Sequence, residues 1–315
     1  MKYVAYLNEL IKKRLAQAEP VVMYGQNIAG GSCLSGLCKG IKMNNPDSKI
    51  INATNSENTL TGIGFGMMMN AVPAIFFMKQ LDFLALGIDH LINTYNFIRR
   101  KPVTNPRQSF TIFATVVDAG FEGLQSSHNN FADFCSIARV PGFTITNSYD
   151  AKKIIEKHLI APGFRIIGIG QRLYAGEMLE FSSVVTEAED ATWFQYTKGE
   201  SATIVCFNFS FPYGYELYQK FKENGTETSL FSVNALTPIN WDGIIADVKK
   251  TKKLIVIDDS KSENVSCYQF LNDVADSGTI LTKKKIIKRD MSGDWLKPQH
   301  HKLEINYEEV INDFM

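Results

Sequence analysis

Glu57 is the one carboxylate in a stretch that turns apolar and glycine-rich just after it, Ser56-Glu57-Asn58-Thr59-Leu60-Thr61-Gly62-Ile63-Gly64-Phe65-Gly66-Met67-Met68-Met69. A carboxyl in apolar surroundings favours its protonated form, so it can hold and pass a proton near neutrality. The same residue could simply complement the positive end of a buried helix, and from this stretch alone that reading is the simpler. Phe83 lies on an apolar helical stripe after Leu81. Its ring could stack on a planar ligand or fill a core. His128 stands alone ahead of the pattern Phe131-Ala132-Asp133-Phe134-Cys135, and a lone histidine serves structure by default. Cys33 and Cys38 are separated by four residues, which fits no common zinc spacing, and the other three cysteines sit among apolar neighbours. They read as core residues of a reducing compartment.

These side chains need a scaffold that alternates strands and helices. Apolar strand patterns occur at 20–25, 49–54, 73–78, 109–117, 143–147 and 164–170, with helical patterns at 59–71, 82–100, 128–140 and 148–160. Uninterrupted apolar strands alternating with helices predict a parallel sheet covered on both faces. The stretch 173–200 reads as an irregular connector. A second unit follows, with strands at 202–209, 228–233, 253–259 and 278–283 and helices at 214–225, 240–251 and 266–276. The expected fold is α/β: two three-layer α/β/α domains with mainly parallel sheets, at 1–190 and 191–315.

The 315 residues are 45% hydrophobic with a formal net charge of zero. That length accommodates two cores, and the balance gives no footprint for nucleic acid or an anionic membrane. The basic run 282–289 reads as a solvated strand edge. An amphipathic helix begins almost at residue 1, so no signal peptide and a cytoplasmic location are expected. No apolar run reaches the roughly 18 residues of a membrane span.

Taken together, these motifs resemble the beta subunit of the thiamine-diphosphate-dependent component of 2-oxo-acid dehydrogenases, and more broadly the pyrimidine-binding and C-terminal domains of transketolase-like enzymes. The resemblance spans nearly the whole chain. It rests on Ser56-Glu57, four residues, then Gly62-x-Gly64-x-Gly66; on Phe83 before Ile88-Asp89-x-x-Ile92-Asn93; and on His128, Pro141 and Asp150-Ala151-Lys152. It rests further on Arg172-Leu173-Tyr174, and on the C-terminal strand, Leu-Thr-Pro turn and acidic pair Asp258-Asp259.

The resemblance implies catalytic roles for Glu57 and His128 and cofactor-binding roles for Glu57, Phe83, Gln26 and Leu81. Glu57 would bond the aminopyrimidine ring and promote activation of the cofactor's reactive carbon, and Phe83 would stack on that ring. It implies mainly an assembly role for the second domain. Gln26 stands where the family carries an acid, and the loop after Asp259 lacks the family's Gly-Gly-x-Gly, which points to a specialised relative. The family's Gly-Asp-Gly motif, which holds the diphosphate through Mg2+, is missing. The resemblance therefore implies an alpha-type partner chain that carries the motif, an α2β2 heterotetramer with the cofactor at the interface, and a possible lipoyl-carrying acyltransferase. The implied reaction acts on a 2-oxo acid or ketose, by decarboxylation with acyl transfer. The alternatives are the C-terminal subunit of a split transketolase-type ketol transferase, or a non-catalytic assembly subunit.

Overall fold

The computed structural model describes residues 1–118, 129–237, 239–262, 264–289 and 303–315. An amphipathic helix α1 (Tyr3–Ala16) opens the chain, burying Leu7, Ile11 and Leu15 on one face. Strands β1 (Val22–Gly25) and β2 (Lys49–Asn52) follow, then helix α2 (Glu57–Met69) and strand β3 (Ala74–Met78). A 3-10 turn (Leu81–Gly87) and a widened π turn (His90–Thr94) lead into the short helix α3 (Tyr95–Ile98). Next come β4 (Ser109–Val116), α4 (Phe131–Ala138), β5 (Gly142–Ile145), α5 (Ser148–His158) and β6 (Gly163–Gly170). These six strands pair in parallel in the order β2-β1-β3-β4-β6-β5.

The remaining strands are β7 (Thr186–Glu187), β8 (Trp193–Thr197), β9 (Thr203–Phe207), β10 (Ser229–Val233), β11 (Lys253–Asp258) and β12 (Lys283–Lys288). They form a second sheet in the order β12-β11-β9-β10-β8-β7, parallel except at β8 and β7. Helices α6 (Phe211–Glu223), α7 (Asp242–Thr251), α8 (Cys267–Asp276) and α9 (Tyr307–Phe314) cover it. The two α/β sheets share one apolar cluster, in which Phe143 and Ile167 of the first meet Phe194 and Ile204 of the second. Each outer face has its own core: Phe65, Phe76, Phe110 and Phe164 in the first, Phe207, Phe231, Trp241 and Phe270 in the second.

Three expectations change. The helix foreseen over 82–100 is broken. Gly87 packs where a Cβ would lie 2.7 Å from the Thr61 hydroxyl, and His90 wedges against Gly62 and holds Thr94 at 2.9 Å. These contacts hold the segment in tight, then wide, turns instead of one smooth helix. The connector 173–200 contains β7 and β8, whose Trp193-Phe194-Gln195-Tyr196 is too short to stand out by pattern. Asn147 caps α5: its side chain accepts from Tyr149 N and Asp150 N, and Asp150 answers to Asn147 N, closing a capping box. The strand foreseen at 278–283 lies instead at Lys283–Lys288, so that the basic run is the edge strand β12 itself, where lysines suit an unpaired edge.

Candidate active site

All strands of the first sheet are parallel, so their carboxyl ends share one edge. The chain winds from β1 to β2 on one side and then to β3 on the other. That reversal lies at the β1/β3 carboxyl ends, the place where doubly wound sheets form a ligand-binding crevice. Gly25 ends β1 with φ +153°, and a Cβ there would sit 2.2 Å from Phe77 O on β3. Only glycine lets the strands close so tightly at the head of the crevice. Gln26 comes next and is half-buried. The loop after it is pinned to β2, because Asn52 Oδ1 accepts from Ile28 N at 2.9 Å.

Glu57 is the first residue of α2, half-buried at the positive end of that helix. Its carbonyl accepts from Thr61 Oγ1 at 2.7 Å. The 3-10 turn after β3 ends at Gly87, whose Cβ position lies 3.4 Å from that same carbonyl. The turn that carries half-buried Phe83 is thereby held against the first turn of α2. Gln26, Glu57 and Phe83 thus occupy adjacent carboxyl-edge loops. Leu81 belongs with them in sequence but is enclosed in the apolar cluster beneath. It can shape the floor and offers no open side chain. His128 lies outside the described residues; its neighbour Asn129 is fully buried at the same edge, beyond β4.

Sequence reasoning singled out Arg172 and Asp259 but missed Asp118 and Lys261, which are buried beside these loops. Asp118 follows β4, and its Oδ1 accepts from Arg172 N at 2.9 Å. The Arg172 guanidinium donates to Phe209 O at 2.7 Å and pairs with Asp259 of the second sheet. Burial opposes the charge of Arg172, but Asp259 and Asp118 together outweigh it and raise its pKa, so it stays a cation. Burial pushes Asp118 up against the pull of Arg172. Lys261, also buried, is lowered to about 8 by burial and by Arg289, with Asp118 and Asp82 opposing. Adjacent acidic and basic residues in the sequence gave no sign of this clustering, because its members come from five separate strand ends.

Among the described residues no group of three or more His, Cys, Asp or Glu could hold a metal ion. No described helix is long and apolar enough to cross a membrane. All five cysteines are free thiols.

No protein-family model matches the chain. It is 21% identical over 295 residues to the beta subunit of acetoin:2,6-dichlorophenolindophenol oxidoreductase of Bacillus subtilis (strain 168), covering 86% of this chain and 83% of that one. It is 20% identical over 280 residues to the mitochondrial pyruvate dehydrogenase E1 component subunit beta-1 of Arabidopsis thaliana, covering 86% and 75%. The pyruvate dehydrogenase E1 beta subunit of Dictyostelium discoideum is 21% identical over 267 residues, with 82% and 73% covered. Among solved structures, a split-gene transketolase described as an inactive beta4 tetramer superposes with a TM-score of 0.74 at 14% identity, over 98% of this chain and 94% of that one. With its two mainly parallel sheets, this chain shares the fold of that transketolase chain and is similar over most of its length to beta subunits of pyruvate dehydrogenase and of acetoin oxidoreductase.

Proposed function

We propose that this chain is the pyrimidine-binding, beta-type subunit of a heteromeric thiamine-diphosphate-dependent enzyme that decarboxylates a 2-oxo acid and transfers the acyl group. The observation that carries the reading is the adjacency of the Glu57 and Phe83 loops at the β1/β3 crevice. A carboxyl at a helix start and an aromatic ring on the neighbouring turn are the kinds of group an aminopyrimidine would use, so the residues present fit half of the cofactor. Thiamine diphosphate would supply a nucleophilic carbon that adds to a ketone and stabilises the carbanion left by decarboxylation. Glu57 would hold a proton on the pyrimidine side, Phe83 would fix the plane of the ring, and Gln26 would offer a neutral amide where relatives of this type offer an acid.

The other half of the cofactor needs a partner. No Gly-Asp-Gly occurs in the sequence, so an alpha-type chain would carry the diphosphate and Mg2+ in an α2β2 assembly. Ile63, Leu86 and Phe97 expose apolar surface on the layer that carries Glu57 and Phe83, which favours that layer as the docking face. The free thiols suit a reducing compartment such as the cytoplasm. A split transketolase-type activity is the second reading, favoured by the fold of the superposed structure. A lipoyl-carrying acceptor belongs to the first reading only.

The test is reconstitution with the partner chain. The chain alone should be inactive and the pair thiamine-dependent, with 2-oxo acid and ketose donors assayed side by side. Glu57→Gln should lower turnover by about 10²-fold or more. Undiminished turnover in that variant would sink the proposed role of Glu57.

A further inference from the structure

The connection from β4 to α4 leaves the first sheet at Asp118 and returns at Asn129, and both residues are fully buried. Each is tied to the second sheet. Asp118 accepts from the backbone N–H of Arg172 and lies 3.6 Å from its guanidinium, whose other arm pairs with Asp259. Asn129 Nδ2 donates to Asp259 O at 3.1 Å, and Asn129 Oδ1 accepts from Asn208 Nδ2 at 3.2 Å. Asn129 O accepts from Lys261 N at 2.9 Å and from Ser260 Oγ at 3.2 Å. Asp259 is itself fixed, its Oδ1 by Phe209 N at 3.0 Å and its carbonyl by Arg289 Nε at 2.8 Å.

Asn208 and Phe209 follow β9, Asp259 to Lys261 follow β11, and Arg289 follows β12. The carboxyl ends of β9 and β11 therefore meet the two ends of one connection in the first sheet, directly at Asn129 and through Arg172 at Asp118, while Arg289 braces Asp259. From this convergence we infer that the second sheet acts as a positioning element, its Asp259 and Asn208 clamping both roots of the β4–α4 connection that carries His128. Buried polar networks of this kind specify one arrangement rather than adding much net stability. Ordinary domain adhesion would spread its bonds along the seam. A second seam lies at β5, where Asn234 Nδ2 donates to Thr144 O and to Asp150 Oδ2, and it provides the control; it meets Asn208 through that residue's carbonyl, which accepts from Thr144 Oγ1 at 2.8 Å and is kept in Asn208→Ala. The consequence for turnover rests on the function proposed above; the clamp itself does not.

The experiment is hydrogen exchange by mass spectrometry on the full chain. Asp259→Asn and Asn208→Ala should each speed exchange about ten-fold or more in peptides spanning 113–118 and 129–135. Peptides from α1 and α7 should keep their wild-type rates. Asn234→Ala should leave both roots unchanged. If Asp259→Asn does not fold, Asn208→Ala carries the test. Unchanged roots in the variants that fold, or acceleration spread evenly over the chain, would overturn the clamp. Variants reconstituted with the partner should lose kcat while KM for thiamine diphosphate stays put. Loosened roots in a pair that has no thiamine-dependent activity would support the clamp and count against the proposed function alone.

Discussion

His158 stacks on Phe143 with ring centroids 3.9 Å apart, and its Nε2 lies 2.8 Å from Asp190 O. Burial, with Arg165 and Lys157 adding to it and the Asp190 carbonyl opposing, lowers its pKa from 6.5 to about 4. The unfolded chain takes up this proton near pH 6.5, whereas the folded chain resists it until about pH 4. The neutral ring therefore contributes stability that is complete above about pH 6.5 and lost as the pH falls toward 4. Asp150 and Asp258, raised by burial to about 6, act with the opposite sign over part of that range. Comparing wild type with His158→Gln removes their contribution: the variant should show a flatter loss of midpoint between pH 6.5 and 4, and parallel curves would refute the assignment. At this scale type and spacing marked Glu57 and its glycines as one segment, which folds as α2. The sequence was silent on Asp118 and Asn129, because nothing local marks a polar residue that will be buried against a distant strand end.

Helix α2 gathers three glycines with three different purposes. Gly62 receives the His90 ring, and Gly64 faces Phe110 and Tyr24, where a Cβ would lie 2.2 Å from Phe110 Cζ. Gly66 has no atom within 4 Å of its Cβ position. Gly64→Ala should therefore destabilise the chain by about 1–3 kcal/mol through overpacking. Gly66→Ala should stabilise the isolated chain by about 0.5–1 kcal/mol through helix propensity. Urea midpoints of the two variants check both signs. If this face docks the partner, the same Gly66→Ala change should weaken association, and a pull-down series of the two chains reads that directly. Most elements were legible from periodicity, since long apolar strands and amphipathic helices announce themselves. The break over 81–98 was not, because its cause is tertiary contact with Thr61 and Gly62. Helix α9 was missed because its eight residues follow a polar tail.

For the molecule as a whole, alternation of strand and helix was enough to foresee two α/β units. How their carboxyl edges meet was not foreseeable, since no pattern within either half encodes the other. The second unit was expected mainly to support assembly, and its contacts at Asp118 and Asn129 bring it to the edge where Glu57 and Phe83 lie. All three tryptophans, Trp193, Trp241 and Trp295, fall in the second half of the sequence. Trp193 packs on Phe231, and Trp241 lies between Phe207 and Phe270. Intrinsic fluorescence therefore works as a built-in optical reporter of that half, while far-UV ellipticity sums over both. Superimposable melting curves from the two signals are expected if the buried bridge welds the sheets into one cooperative unit, and an ellipticity loss that precedes the fluorescence change would show the first half melting on its own.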